Sequence, residues 1–305
     1  MHYFDYNATS PLIPVARDAW LAANNEFSGN PSSLHRSGRR AEHALENARA
    51  ELAEILGCVS SEIIWTSGAT ESANLVIHQL STYETTRSIF ISSIEHPCIF
   101  DSAKGALGDR LRVIPVTSKG VIDLVALTSQ AVKENPAAII LMAANNETGV
   151  IQPWEVIRDF CLKHGILFIC DAVQLLGKLP CDGLGKCDFV FASGHKFGAP
   201  KGVGFLKMPA RFPFKPLFVG GKQEFGFRAG TENVPGVLAF MAALRERQMT
   251  IFHGGGEAQT LLKIEAMNLL SKALPEATLI SDAPALWNTG TFLMPEFDCR
   301  KRWVV

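Results

Sequence analysis

Six short runs of apolar, β-prone residues recur between residues 63 and 208, and their spacing limits the possible folds more than any other feature. The runs are IIWTS (63–67), IFISS (89–93), AAIILMA (137–143), ILFICD (166–171), DFVFAS (188–193) and VGFLKM (203–208). Continuous rather than alternating apolar character is typical of strands that are buried on both faces. Helical patterns separate several of the runs, which favours an α/β layer fold with a mainly parallel sheet.

Helical patterns also flank these runs. The segment RRAEHALENARAELAEILG (39–57) has one apolar face, and Gly57 is a plausible helix C-cap. That face contains Ala41, Ala44, Leu45, Ala48, Leu52 and Ile55. After residue 231, helical patterns at about 234–247 and 257–274 precede a short strand-like piece, NTGTFLM. We therefore predict a large α/β domain at 13–235 and a small α+β domain made of 1–12 and 236–305.

Composition excludes several classes of function. Hydrophobic residues make up 47% of the 305 residues and charged residues 19%, so the chain can bury a substantial core. The formal net charge is −1 without a long basic run, so no nucleic-acid partner is expected. The opening MHYFDYNATSPL lacks a basic start followed by an apolar region, and no apolar run is long enough to span a bilayer. We expect a soluble, cytoplasmic protein without a membrane partner.

The cysteines predict neither disulfides nor a metal centre. They lie at positions 58, 98, 161, 170, 181, 187 and 299. Their number is odd and no C-x-x-C pair occurs, so a disulfide framework or a zinc site is not expected. Cys170 lies within the apolar run ILFICD and is interpreted as a buried small hydrophobe.

Polar residues follow five of the apolar runs, where α/β sheets bind ligands beyond the carboxyl ends of their strands. The candidates are Ser67, Gly68, Ala69, Thr70, Glu71, Glu95, His96, Asn145, Asn146, Glu147, Asp171, Gln174, Ser193, His195 and Lys196. In SGATES a small turn opens a helix, whose first N–H groups suit a phosphate. The alternative for this stretch is an ordinary helix cap by Ser67 or Thr70.

Two residues at strand ends indicate a particular cofactor chemistry. Asp171 ends a very apolar run, so its carboxylate needs a partner and could bind a metal, cap a helix or pair with a protonated ring nitrogen. Lys196 could form a salt bridge, or act as an amine nucleophile whose pKa burial lowers. A lysine for an aldehyde, an aspartate for a pyridinium and a phosphate-binding helix start together describe a pyridoxal phosphate (PLP) site. The sequence contains no Walker A motif, and no G-x-G-x-x-G opens the first strand–helix unit. A nucleotide-binding site is therefore not expected.

The sequence resembles the class V aminotransferase family, most closely its cysteine desulfurases. The resemblance runs from residue 3 to residue 236, and SGHK with KGVG, DAVQ and RAGTEN are its most specific elements. The stretches are YFDYNATSPL, GNPSSLHRSGRRA, TSGATESANL, IEHPCI, NNETGVIQP, DAVQLLGKLP, SGHKFGAPKGVGFL and GGKQEFGFRAGTENVPG. The resemblance implies the fold type I of PLP-dependent transferases.

The resemblance also implies roles for single residues. Lys196 would form the Schiff base with PLP and move the substrate's Cα proton, and Asp171 would pair with the pyridinium nitrogen. Gln174 would bind the ring hydroxyl, and His96 would stack on the ring and assist proton transfer. The phosphate would be held by Ala69, Thr70, Ser193 and His195. Thr231 would reach the phosphate of the other subunit of a homodimer, and Asn146 would lie beside the ring and the substrate carboxylate. No residue is implied as a metal ligand.

The resemblance implies conversion of L-cysteine to L-alanine, with sulfur passed as a persulfide to an iron–sulfur scaffold or another acceptor. The family carries its catalytic cysteine on a Ser/Gly-rich loop after the RAGTEN stretch, and an arginine further on. This sequence ends before either, which predicts a C-terminally truncated chain whose desulfurase activity is impaired by the absence of that loop. Cys299 in EFDCRKRWVV does not match the loop. Two alternatives remain: a sibling reaction (selenocysteine lyase, aminotransferase or β-elimination lyase), or a catalytically silent PLP-binding protein that dimerises.

Overall fold

The computed structural model describes residues 2–83, 85–210, 212–280 and 283–294. Eight helices and nine strands lie in this part of the chain. The helices are α1 (Pro14–Glu26), α2 (Arg36–Leu56), α3 (Ala69–Thr82), α4 (Pro97–Leu107), α5 (Leu124–Glu134), α6 (Trp154–His164), α7 (Val234–Phe252) and α8 (Gly255–Ala273). The strands are β1 (Ile63–Thr66), β2 (Ile89–Ser92), β3 (Leu111–Ile114), β4 (Ala138–Met142), β5 (Leu167–Asp171), β6 (Phe189–Ser193), β7 (Gly204–Lys207), β8 (Thr278–Leu279) and β9 (Phe292–Leu293).

A seven-stranded sheet in the order β1-β7-β6-β5-β4-β2-β3 forms the centre of the fold. Strands β3, β2, β4, β5 and β6 are mutually parallel, whereas β7 runs antiparallel to both of its neighbours. Because β7 reverses direction between β1 and β6, β1 points the same way as the parallel strands. The carboxyl ends of β1, β2, β4, β5 and β6 therefore meet at one edge of the sheet.

The predicted mainly parallel α/β fold is confirmed, and five of its strands are fully buried, as continuous apolar runs indicate. The sequence reading missed β3, an edge strand in which Arg112 and Val113 are exposed. Because these two residues are exposed, the strand has no continuous apolar run, unlike β1 at the opposite edge, which is fully buried.

The two faces of the sheet pack against different sets of helices. One core cluster includes Leu45 and Leu52 of α2 and Phe240 of α7, and the other includes Leu75 and Leu80 of α3. Helix α2 ends as predicted at Gly57, which has φ +75°. The division at residues 235 and 236 stays a prediction, although α7 packs on α1 and α2 and contributes to the main core. None of the helices in the described residues is long and apolar enough to cross a membrane.

Candidate cofactor site

A cavity of about 570 Å³ opens at the edge where the strand ends meet. Nine of the ten predicted cofactor-binding residues line it: Ala69, Thr70, His96, Asn146, Asp171, Gln174, Ser193, His195 and Lys196. They lie at or after the carboxyl ends of β1, β2, β4, β5 and β6, so the convergence follows from the strand directions. The volume lies within the range that is usual for small-molecule and cofactor sites.

Lys196 lies in a short 3₁₀ turn, Gly194–Lys196, directly after β6. Its side chain is half-buried, and Nζ donates hydrogen bonds to the backbone oxygens of Asn7 (2.7 Å) and Ala8 (3.0 Å). Burial lowers the pKa of Lys196 below its ordinary value, although the negative charge of Asp171 partly raises it again. An amine with a lowered pKa is more often deprotonated at neutral pH, which is the state needed to attack an aldehyde.

Asp171 is the last residue of β5 and is 5% exposed. Its Oδ1 accepts a hydrogen bond from the backbone N–H of Val173 at 2.9 Å, so it caps the turn that follows. Burial raises the pKa of Asp171 to about 6, although this hydrogen bond and the charge of Lys196 partly oppose the shift. A buried carboxylate at a cavity wall gains from a cationic ligand atom, such as a protonated ring nitrogen.

The start of helix α3 forms one end of the cavity. Gly68 occupies the N-cap position with φ +149°, and no side chain caps the helix. The alternative prediction of a cap by Ser67 or Thr70 was therefore wrong, and the first N–H groups of α3 remain available to an anion. A Cβ at position 68 would lie 3.2 Å from Ser193 Oγ, so glycine lets this hydroxyl approach the helix start.

Two histidines line the candidate site. His195 Nδ1 shares a hydrogen bond with Thr9 Oγ1 at 3.1 Å, and burial, with the charges of Lys196 and Lys201, lowers its pKa to about 4. His96 is the N-cap of α4, where Nδ1 accepts the N–H of Cys98 at 3.1 Å. Burial is also the main cause that lowers the pKa of His96. Both rings are therefore neutral at pH 7, and the ring of His96 is fixed in orientation by its own helix.

Some of the candidate residues lie outside the cavity. Thr231 is exposed and does not line it. Glu95 is buried and does not line the cavity, and its Oε1 accepts hydrogen bonds from Ser92 Oγ (2.5 Å) and the N–H of Met142 (2.9 Å). Asn145 organises its own loop, because its Oδ1 accepts the N–H groups of residues 147 and 148.

The sequence reading missed two residues that contact the candidates directly. Asn7 bonds Lys196 through its backbone oxygen and donates from Nδ2 to the backbone oxygen of Asn146 at 3.0 Å. Lys178 donates from Nζ to Gln174 Oε1 and lies four residues after it. That spacing in DAVQLLGK is the one signal that could have found Lys178, whereas nothing local marks Asn7.

An ion pair also stabilises the start of helix α3. Glu71, in the first turn of α3, forms an ion pair with Arg228 at 2.8 Å and accepts the N–H of Ser67 at 2.9 Å. Because Arg228 neutralises Glu71, the carboxylate presents less negative charge to an anion at the helix start.

The residues present fit PLP. The cavity combines an amine of lowered pKa, a buried carboxylate and a helix N-terminus flanked by the hydroxyl of Ser193. These groups match the aldehyde, the ring nitrogen and the phosphate of that cofactor. Fold and site together define the class of protein: a PLP-dependent enzyme with the type I fold.

The comparisons identify the family within that class. Residues 2–300 match the family described as Aminotransferase class-V, and the chain belongs to that family, among the proteins of the cysteine desulfurase type. A cysteine desulfurase of Cereibacter sphaeroides is 38% identical over 92% of this chain. The crystal structure of a NifS-like protein from Rickettsia africae superposes with a TM-score of 0.90 over 99% of this chain, at 32% identity.

The chain spans only part of its relatives' length. The match covers 73% of the Cereibacter protein and 84% of the Rickettsia chain. Cysteine desulfurase 2 of Trichormus variabilis is 40% identical over 81% of this chain, and the match covers 63% of that protein.

Proposed function

We propose that this protein carries out the PLP-dependent conversion of L-cysteine to L-alanine, with the sulfur passed to an acceptor. The observation that carries the proposal is the placement of Lys196 and Asp171 at the ends of adjacent parallel strands, in one cavity with the start of α3. The relatives named cysteine desulfurase support the choice of substrate.

The chain's own residues would hold the cofactor at its ring nitrogen, its phosphate, its ring hydroxyl and one ring face. Asp171 would keep the ring nitrogen protonated, and Ala69, Thr70, Ser193 and His195 would surround the phosphate. Gln174 would contact the ring hydroxyl, His96 would cover the ring face, and Asn146 would lie near the substrate carboxylate. When bound, PLP withdraws electrons from the substrate's Cα.

Proton transfer at Cα would fall to Lys196. Its lowered pKa keeps a share of the amine unprotonated, and its contacts with Asn7 and Ala8 hold Nζ within reach of the cavity. Because His96 Nδ1 accepts the N–H of Cys98, the neutral ring carries its proton on Nε2, from which it would donate that proton.

The described cysteines are poor sulfur acceptors. Of these six thiols only Cys98 lines the cavity, and burial raises its pKa to about 12. Burial also raises the pKa of Cys58 to about 11 and that of Cys181. A thiol in the protonated state is a weak nucleophile. Cys299 lies outside the described residues.

The test is reductive trapping. Borohydride treatment of the purified protein with PLP, followed by peptide mapping, should place the cofactor on Lys196. With an added thiol to accept the sulfur as a persulfide, L-cysteine should yield L-alanine. Lys196→Ala should abolish the covalent label. Lys201→Ala is the matched control, because Lys201 also lines the cavity and should leave the label in place. A label on another lysine would contradict the site assignment.

The proposal extends to partners and location. We propose a homodimer in which Thr231 reaches the partner's phosphate site, and its exposure away from its own cavity supports this. An iron–sulfur scaffold or another acceptor would take the sulfur. A cytoplasmic location is proposed on the sequence features alone.

A further inference from the structure

Lys178 is a buried lysine beside the cofactor cavity, and none of the roles above uses it. Its relative exposure is 5%. Its Nζ donates to Asn7 Oδ1 at 3.0 Å and to Gln174 Oε1. Its backbone oxygen accepts the indole N–H of Trp287 at 2.9 Å, so both ends of the residue are held. Burial of a long cationic side chain costs free energy, so buried lysines usually have a hydrogen-bond or charge partner.

No carboxylate pairs with Lys178 in the part of the chain that the structure describes. The charged groups that act on it are two other cations, Lys196 and Arg247. Arg247 is held on helix α7, where Nε donates to the backbone oxygen of Phe197 at 2.9 Å. Burial, and then these two charges, lower the pKa of Lys178 to about 7. The neutral partners Asn7 and Gln174 are therefore its only described side-chain acceptors.

The contact with Lys178 fixes the orientation of the Gln174 amide. The Lys178 Nζ donates to the amide oxygen of Gln174, so this oxygen faces Lys178. The Nε2 group is then turned to the other side, where it donates to the backbone oxygen of Asn7 at 3.0 Å. Gln174 lines the cavity, so the group that it offers there is an N–H donor rather than a carbonyl acceptor.

Asn7 links this pair to Lys196. Its backbone oxygen accepts from both Gln174 Nε2 and Lys196 Nζ, while its side-chain oxygen accepts from Lys178. Its Nδ2 also donates hydrogen bonds to the backbone oxygen of Asn146 (3.0 Å) and to Thr289 Oγ1 (2.8 Å). A change at Lys178 would therefore be transmitted to Lys196 through a single residue.

We propose that Lys178 is a positioning residue of the cofactor site, which orients the Gln174 amide and places a positive charge near Lys196. The inference rests on the proposed PLP chemistry. The N–H group that Lys178 turns toward the cavity would stabilise a negatively charged ring oxygen. Below about pH 7, where Lys178 is charged, it would also repel a proton at the Lys196 nitrogen, because the two groups lie close enough for their charges to interact. The two effects predict two separate measurements.

The experiment compares Lys178→Met and Lys178→Gln in the full chain. Lys178→Met removes both the donor and the charge, so PLP should bind about tenfold or more weakly, as expected for a lost charge-assisted hydrogen bond. The apparent pKa of the bound cofactor's visible band should rise by about one unit, because a nearby like charge is gone. Lys178→Gln keeps an N–H donor, so it should restore much of the affinity while the pKa stays raised.

The matched control is Lys207→Met. Lys207 is equally buried, at 4% exposure, and its Nζ donates to the backbone oxygen of Cys187 at 2.6 Å, outside the cavity. This variant should lose stability without any shift of the visible band. Unchanged affinity and pKa in both Lys178 variants, with PLP trapped on Lys196, would overturn the inference and leave the proposed function intact. A wild-type chain that binds no PLP would overturn both.

Discussion

The ion pair between Arg49 and Glu224 offers the sharpest test of how this fold is held together. The two side chains are 2% and 1% exposed, and two hydrogen bonds of 2.7 and 2.9 Å join the guanidinium to the carboxylate. Arg49 also donates to the backbone oxygen of Ile63 at 2.6 Å. Burial lowers the pKa of Arg49, but hydrogen bonding to Glu224 and its charge outweigh this and leave the pKa raised.

Arg49→Met should lower the free energy of unfolding by about 3–5 kcal/mol, the usual effect of leaving one member of a buried pair uncompensated. Glu224 would keep a single hydrogen bond, from the N–H of Trp65 at 2.8 Å. Without Arg49, the turn at Glu224 and Phe225 should also relax, because these residues have strained φ angles of +46° and +58°. The assay is urea unfolding, combined with hydrogen exchange of the Trp65 amide, which should accelerate.

Arg40→Met is the matched control. Arg40 pairs with Glu26 at 2.8 Å, but both side chains are more than half exposed, so the loss should stay below about 1 kcal/mol. The double variant Arg49→Met, Glu224→Gln should recover part of the stability, because no unpaired charge stays buried. Equal losses in Arg49→Met and Arg40→Met would refute the reasoning.

Three further predictions concern the site. Asp171→Asn should stabilise the cofactor-free chain at pH 8, because a carboxyl with a folded pKa of about 6 against an ordinary 3.8 costs roughly 3 kcal/mol once ionised. The gain should vanish below about pH 4 in urea titrations, and equal gains at both pH values would contradict it. Alkylation and mass spectrometry after L-cysteine treatment should find no persulfide on Cys98, since its thiol is protonated, and a Cys98 persulfide would refute this. Sedimentation should show a dimer. Thr231→Val should weaken PLP retention but leave the dimer intact. A monomer with full PLP occupancy would be the contrary result.

Much of the site could be predicted from the sequence because it lies at strand ends. A buried parallel strand requires a continuous apolar run, and the polar residue that ends the run must lie at the edge of the sheet. Asp171 and Lys196 follow two such runs, and the structure brings both into one cavity. The residue types then indicated the chemistry, and the resemblance supplied individual roles.

What only the tertiary structure decided is the set of contacts between residues far apart in the chain. Strand order and the antiparallel course of β7 do not follow from apolar runs, because parallel and antiparallel strands can share that pattern. Asn7 meets Lys178 and Lys196 across more than 170 residues of sequence. Arg49 meets Glu224 in the same way, although neither has a local signal of burial. A hydrogen bond depends on the distance and angle between two groups, and sequence separation fixes neither, so these interactions became visible only in the folded chain.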